Sequence, residues 1–137
     1  VFAMPRLLSA DGSGRGLAAA NVQRMRSDGA VVWDVVARLD EAQKTLLPVP
    51  IDLSSNSDFV FLVLYGSGIG RRSSLDAVSV MVGGVSAQVL YAGPQGTYEG
   101  IDQVNVLLPR SLAGGGLLDV LLTFDGRIAN AVQVFVR

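Results

Sequence analysis

Hydrophobic and polar residues alternate with a period of two over much of this chain, and that period is typical of β-strands. Residues 31–36, 78–82 and 132–136 are rich in β-branched and aromatic residues, and the last two segments have valine at every second position. Two denser apolar runs, residues 59–65 and 117–124, predict central strands that are buried on both faces. Strands therefore dominate the predicted structure.

The turn residues agree with this assignment. Gly83-Gly84 and Asp125-Gly126 each separate two apolar runs by two residues, which is a strong signal for a β-hairpin. Asp28-Gly29 closes a third hairpin, so residues 17–26 are predicted to form a strand although Ala18 to Ala20 favour a helix. Short strands with turns every eight to twelve residues predict an antiparallel β-sandwich.

The chain is predicted to have two portions. Residues 1–57 form an N-terminal extension of hairpins packed on the sandwich, and residues 58–137 form the sandwich itself. The polar stretch Ser54-Ser55-Asn56-Ser57 is the predicted joint. The predicted core consists of alternate apolar residues of the strands: Val60, Leu62, Leu64, Val80, Val89, Val104, Val106, Val120, Leu122 and Val134.

Composition excludes several classes of function. Of the 137 residues, 50% are hydrophobic and 17% charged, and 11 Lys+Arg against 12 Asp+Glu leave a net charge of −1, without the basic excess of a nucleic-acid-binding protein. The chain has no cysteine and no histidine, which removes disulfides, thiolate nucleophiles, Cys/His zinc sites and imidazole catalysis. No apolar run approaches the roughly 20 residues that a membrane-spanning helix needs. We expect no enzyme activity, no cofactor, no metal and no membrane insertion.

Gly66-Ser67-Gly68-Ile69-Gly70 resembles a phosphate-binding glycine loop because it follows an apolar strand. Such a site needs the N-terminus of a helix directly afterwards, and a strand follows here, so a tight loop between strands is the favoured interpretation. Arg71 and Arg72, next to two serines, are either a weak site for an anion or acidic glycan or part of a solvated loop.

Residues 91–98 form the one long loop with exposed aromatic side chains in the predicted structure. Tyr91 and Tyr98 are candidates for binding a sugar, although capping of the sandwich core is the favoured interpretation. Glu99 and Asp102, which follow Tyr98, are the only adjacent pair of carboxylates on a predicted loop, as a glycosidase would need. The aspartates are otherwise scattered, without the spacing of a calcium-binding loop.

Several stretches resemble immunoglobulin-like domains of the IPT/TIG type. They are residues 60–69, 78–87, 104–109 and 119–126. Others are similar to one subgroup, the uncharacterised C-terminal Ig-like domain family of large secreted acidobacterial proteins: residues 49–53 (VPIDL), 90–96 (LYAGPQG), 100–106 (GIDQVNV) and 108–114 (LPRSLAG). The resemblance covers residues 5–137, and it departs at residues 5–8, where Pro-Arg-Leu-Leu replaces the family's usual Pro-Gly-Leu-Phe.

This resemblance implies an immunoglobulin-like antiparallel β-sandwich with an N-terminal β-hairpin extension, and a secreted or cell-surface location. The family has no established catalytic residues to transfer to this chain. The function that we expect is therefore a non-catalytic structural module, such as a subunit of a filament or surface layer. The alternative is a carbohydrate- or surface-binding, adhesive module that uses Tyr91, Tyr98, Arg71 and Arg72.

The start of the chain suggests how such a module would assemble. Its candidate assembly residues are all apolar and precede or follow Pro5: Val1, Phe2, Met4, Leu7 and Leu8. Exposed to water, each large side chain would forgo about 1.5–3 kcal/mol of burial free energy. Either the segment packs on its own sandwich, or it adds as a strand to a neighbouring copy. Copies of the chain, or neighbouring domains, are thus the expected partners, with a glycan as the alternative.

Overall fold

Nearly every regular element of the chain is a strand. The computed structural model describes residues 4–69 and 75–137. Its strands are β1 (Arg6–Leu7), β2 (Ala20–Met25), β3 (Val31–Val35), β4 (Ala37–Asp40), β5 (Thr45–Pro48), β6 (Phe59–Ser67), β7 (Val78–Val82), β8 (Val85–Pro94), β9 (Asp102–Leu107), β10 (Gly116–Phe124), β11 (Arg127–Ile128) and β12 (Val132–Val136). Two single-turn 3-10 helices, Leu75–Ala77 and Arg110–Leu112, interrupt them. The predicted all-β class is confirmed.

The strands form two antiparallel layers, which we call sheet I and sheet II. In sheet I the order is β3-β2-β6-β9-β8, and β1 also pairs with β6. In sheet II, β7 lies between β8 and β10, and β10 pairs in addition with β11 and β12. Strand β8 belongs to both layers because residues 85–87 pair with β7 and residues 88–94 pair with β9. The arrangement is a β-sandwich.

Alternate residues of the two sheets meet in one buried core. Every predicted core residue is buried except Val89, which is half-buried and packs against the same cluster. The predicted hairpin turns are also present. Gly83 and Gly84 have φ values of 58° and 80°, and Asp125 and Gly126 have 47° and 79°, which are left-handed conformations that suit these residue types.

Burial of β6 and β10 differs from the prediction. In β6 both faces are covered around Val63, which is fully buried, but Phe59 is 51% exposed. In β10, more buried and more exposed residues alternate along the strand, and Leu117 and Leu121 lie on the surface. The prediction of burial on both faces is therefore wrong for β10 and holds for β6 except at Phe59. In the described part of the chain, no third layer covers sheet II.

The N-terminal portion is continuous with the sandwich. Strand β2 pairs with β6 along six residues, and Val22 and Leu53 belong to the same buried cluster as Leu62. Two further N-terminal segments run parallel to β12, through bridges from Leu17 and Ile51. Residue 57 therefore does not separate two cores. The β4–β5 hairpin forms a separate two-stranded sheet.

Candidate functional site: an uncharged sheet face and an open edge strand

The candidate assembly residues of the N-terminus are only partly exposed. Val1 and Phe2 lie outside the described residues, and Met4 is 61% exposed. Leu7 is buried, and its N–H and C=O both bond to the Asn130 side chain at 2.8 Å. The half-buried Leu8 donates its N–H to the Tyr65 carbonyl at 2.9 Å. Leu7 and Leu8 therefore pack within their own sandwich, the first of the two alternatives for this segment.

The candidate ligand loop is shorter than expected. Tyr91 lies within β8, and its hydroxyl donates to the Pro94 carbonyl at 2.5 Å, so the loop comprises residues 95–101. Tyr98 lies in that loop, where its backbone N–H donates to the Gln95 side chain at 2.8 Å. The two tyrosines are 39% and 68% exposed, so the expectation that they cap the core is wrong. Arg71 and Arg72 lie outside the described residues.

The glycines near the end of β6 accommodate another part of the backbone. A Cβ atom at Gly66 would lie 2.2 Å from the Arg6 carbonyl oxygen, and one at Gly68 would lie 2.5 Å from that of Met4. The N-terminal segment therefore crosses the end of β6 at positions where only glycine fits. The loop continues into Ile69, which is buried and donates its N–H to the Asp102 carboxylate at 2.8 Å, while Gly70 lies outside the described residues.

The outer face of sheet I is a feature that no sequence motif indicated. The residues of that face are those on each strand that alternate with the core residues. Its side chains are Asn21, Gln23, Met25, Val31, Trp33, Val35, Phe59, Phe61, Val63, Tyr65, Ser67, Gln88, Tyr91, Gln103, Asn105 and Leu107. They include the single Trp and two of the three Tyr of the chain, together with five amides. None of them is charged at neutral pH.

Strand register arranges these residues in rows across the sheet. One row, the first row, crosses five strands as consecutive Cα partners: Gln88, Leu107, Phe61, Gln23 and Trp33. The second row lies two residues further along each strand, and three further on β8, where the register shifts between Val89 and Tyr91: Tyr91, Asn105, Val63, Asn21 and Val35. With strands about 4.8 Å apart, each row is about 19 Å long, and the two rows are about 7 Å apart.

Some of the amides are held by neighbours and others are not. Asn21 accepts from the Tyr65 hydroxyl at 2.8 Å, and Gln103 donates to the Asn105 side chain at 2.9 Å. The side chains of Gln23 and Gln88 make no hydrogen bond within the described part of the chain. Burial raises the pKa of Tyr65, so its phenol is neutral and acts as a donor.

A cleft of about 290 Å³ opens at the Gln88 end of the first row. Phe59, Leu107 and Gln88 belong both to the cleft and to the outer face of sheet I. Its floor is apolar, and Arg110 borders it while donating to the carbonyls of Ser55 and Asp58. The cleft thus extends the outer face at one end, and it is close to the smallest size typical of ligand sites.

The other end of the first row lies on β3, the last strand of sheet I. All five residues of β3 are exposed, and its four apolar side chains range from 42% for Val32 to 56% for Trp33. The Arg26 N–H donates to the Ala30 carbonyl across the β2–β3 turn. Because backbone groups alternate in an antiparallel ladder, those of Val31, Trp33 and Val35 point to the open side. Of these groups, the Val35 N–H already donates to the Asp34 carboxylate at 2.8 Å. β3 is therefore an open, apolar edge strand.

Several charged groups pair around segment 50–58, and one of them, Asp58, also lines the cleft. Arg24 lies 3.2 Å from the Asp58 carboxylate and also donates to the Asp52 carbonyl at 2.5 Å. The Asp52 carboxylate accepts from the Ser54 N–H and lies 3.0 Å from the Arg137 guanidinium. The hydrogen bonds from Ser54, followed by that from Arg137, lower the pKa of Asp52 to about 2.

Within residues 4–69 and 75–137, no three or more acidic side chains come together as they would to hold a metal ion. No helix in the same residues is long and apolar enough to cross a membrane. No protein-family model matches the chain, and no curated protein or solved structure is significantly similar to it.

Proposed function

We propose that this chain is a non-catalytic, immunoglobulin-like structural module of an extracellular or cell-surface protein, and that it assembles with copies of itself through β3. The sequence resemblance supports the immunoglobulin-like class and the extracellular location. A composition without cysteine and histidine supports a non-catalytic role, because the commonest nucleophile–base pairs need one of them. The observation that carries the proposal is the open edge of β3.

Long, flat, apolar edges are usually blunted in proteins that remain monomeric. At the opposite end of the strand order, β11 has only two residues. Strand β12 is flanked on its open side by the parallel bridges from Leu17 and Ile51. Strand β3 has neither protection, and it contains no lysine or proline. Its backbone groups and its apolar side chains together favour pairing with another strand.

A second copy of β3 is a suitable partner because antiparallel pairing of two identical strands has two-fold symmetry. If the pair is centred on Trp33, the two indoles lie opposite each other. Asp34 then faces Val32 of the second copy instead of the second Asp34, which avoids direct repulsion between like charges.

Sedimentation of the full chain over a range of concentrations tests this proposal. We expect species larger than the monomer, and we expect Val31→Pro to abolish them, because proline removes an outward N–H at the first position of the strand, where it does not disrupt pairing with β2. Val31→Thr is the matched control, since it keeps the N–H and should still associate. The proposal fails if the full chain sediments as a monomer throughout, or if the proline variant has the native melting temperature and still associates.

The same experiment distinguishes the edge from the N-terminal arm. Deleting residues 1–4 leaves β1 and β3 intact, so association through β3 should persist. Association that is lost on this deletion but kept in Val31→Pro would instead assign assembly to the apolar start of the chain.

A further inference from the structure

We infer that the outer face of sheet I binds a neutral polysaccharide chain, laid along the first row from the cleft at Gln88 to Trp33. This inference does not depend on self-assembly through β3, because a glycan can contact the outer face of sheet I whether or not a second β3 pairs along its edge. Trp33 is the one residue of the first row that also takes part in the proposed pairing.

The first argument is charge. None of the side chains of the outer face of sheet I carries a charge at neutral pH, although 17% of the chain is charged. By contrast, the outer face of sheet II carries Asp119, which accepts from Gln133 at 3.1 Å. A nucleic acid, an acidic glycan or an anionic membrane needs cationic groups that are free to contact it, and this face offers none. Arg110, which borders the cleft, already donates to the carbonyls of Ser55 and Asp58. The partner is therefore neutral.

The second argument is the mixture of amides with aromatic rings. An amide group both donates and accepts hydrogen bonds, as a sugar hydroxyl does. The C–H faces of a sugar ring pack against the electron-rich face of an aromatic ring. Along the first row, Gln23 separates the rings of Phe61 and Trp33, and Gln88 precedes Leu107, so amides interrupt the apolar positions of the row.

The third argument excludes a flat apolar protein surface as the occupant. The amides of Gln23 and Gln88 have no partner within the described part of the chain. An apolar partner would bury them unpaired, at about 1–3 kcal/mol for each group. A glycan supplies hydroxyl groups to both amides, and water can bridge any amide group that a hydroxyl does not reach.

The fourth argument is shape. The first row is about 19 Å long and its strands place it on an open, gently twisted surface. At its Gln88 end the cleft of about 290 Å³ gives the row a recessed start, lined by Phe59 and Leu107. An extended chain of several sugar units fits this track better than a compact small molecule does.

Affinity gel electrophoresis of the full chain tests the inference, with hydroxyethylcellulose, mannan and xyloglucan as neutral probes and polygalacturonate as the acidic probe. We expect at least one neutral polysaccharide to retard the protein and polygalacturonate to have no effect. Trp33→Ala should weaken binding about tenfold or more, because it removes a large aromatic surface that the bound glycan would cover. Gln23→Ala should also weaken it.

Three variants act as controls. Leu117→Ala changes an equally exposed apolar residue on the outer face of sheet II, and Tyr98→Ala changes the exposed tyrosine of the 95–101 loop. Val31→Pro removes assembly through β3 but leaves the side chains of the first row in place. All three should bind as the native chain does.

Several results would overturn the inference. Retardation by none of the three neutral probes is one, and retardation by polygalacturonate alone is another. Binding that is lost in Tyr98→Ala and kept in Trp33→Ala would assign the glycan to the loop. If Trp33→Ala changes sedimentation and leaves polysaccharide binding unchanged, the face is an interface between copies. Loss of binding in Val31→Pro would mean that the glycan site requires the assembly.

Discussion

Individual residues decide how closely the backbone segments of this sandwich approach one another. The backbone carbonyls of Arg6 and Met4 pack directly against Gly66 and Gly68. They lie so close that a Cβ atom at either glycine would clash with them. Asn130 then fixes the crossing segment by bonding to both backbone groups of Leu7 and to the Gly14 carbonyl. The small residues at the end of β6, which resemble a phosphate loop in sequence, act here as a crossing point for the backbone.

Replacing Gly66 by alanine tests this interpretation. The added Cβ would lie 2.2 Å from the Arg6 carbonyl oxygen, so β1 must move away from β6. We expect a loss of about 1–3 kcal/mol in the free energy of unfolding, as is typical of overpacking. Limited proteolysis should also cut sooner before Leu8. Ser67→Ala, at the next position, is the control, and equal stability of the two variants would contradict the crossing-point role.

Elements of the sandwich bury one face each, and this decides which leucines stabilise it. Leu62 on β6 and Leu121 on β10 are similar in the sequence because both lie in dense apolar runs. In the fold, Leu62 is fully buried between the sheets and Leu121 is 40% exposed on the outside of sheet II. The two leucines therefore contribute different amounts to the free energy of unfolding.

Alanine substitutions at these two leucines should show that the inner and outer faces of the sandwich contribute differently to the free energy of unfolding. Leu62→Ala should lower the free energy of unfolding by about 2–5 kcal/mol, because it leaves a cavity in the core. Leu121→Ala should cost less than about 1 kcal/mol, since solvent fills the space. Chemical denaturation at equilibrium measures both values. A loss below about 0.5 kcal/mol for Leu62→Ala would show that the core is assigned incorrectly.

For the molecule as a whole, a group of charged residues ties distant segments together. Arg24 of β2 contacts Asp58 and the Asp52 carbonyl, and the Asp52 carboxylate contacts Arg137 near the end of β12. Segment 50–58 is thereby linked to both sheets. Global stability should depend on the ionisation of Asp52 in consequence.

The pH dependence of the melting temperature checks this link. The pKa of Asp52 falls from its ordinary value of 3.8 to about 2 in the folded protein, so ionised Asp52 stabilises the fold above about pH 4. That contribution is lost as the pH falls towards 2. The native chain should therefore melt higher than Asp52→Asn at pH 7, by a modest amount that salt reduces, and the difference should vanish near pH 2.

A second variant identifies the source of this effect. Arg137→Gln removes the ionic partner and keeps the Ser54 contacts, so it should lose only part of the same pH-dependent difference. A difference between the native chain and Asp52→Asn that stays constant from pH 7 to pH 2 would contradict the role of the ionised carboxylate.

Local patterns in the sequence were sufficient for the strand class, the hairpin turns and a part of the core. Nine of the ten predicted core residues are buried, but the buried cluster also includes residues that were not predicted, such as Leu7, Val22 and Ile51. The period of two, the Gly83-Gly84 and Asp125-Gly126 turns and the absence of helical spacing all depend on interactions between near neighbours, which a sequence states directly. The alternation within each strand also separates the two faces, so Leu62 and Val106 were identified as core residues without any knowledge of pairing.

Only the tertiary structure decided which strand faces are covered and which strand remains open. Trp33, Gln23, Phe61 and Gln88 come from four separate strands, and strand register alone brings them into one row. The same is true of β3, whose sequence resembles that of an internal strand until its place at the end of sheet I is known. Strand order and register are set by contacts between residues far apart in the chain, and no local pattern encodes them.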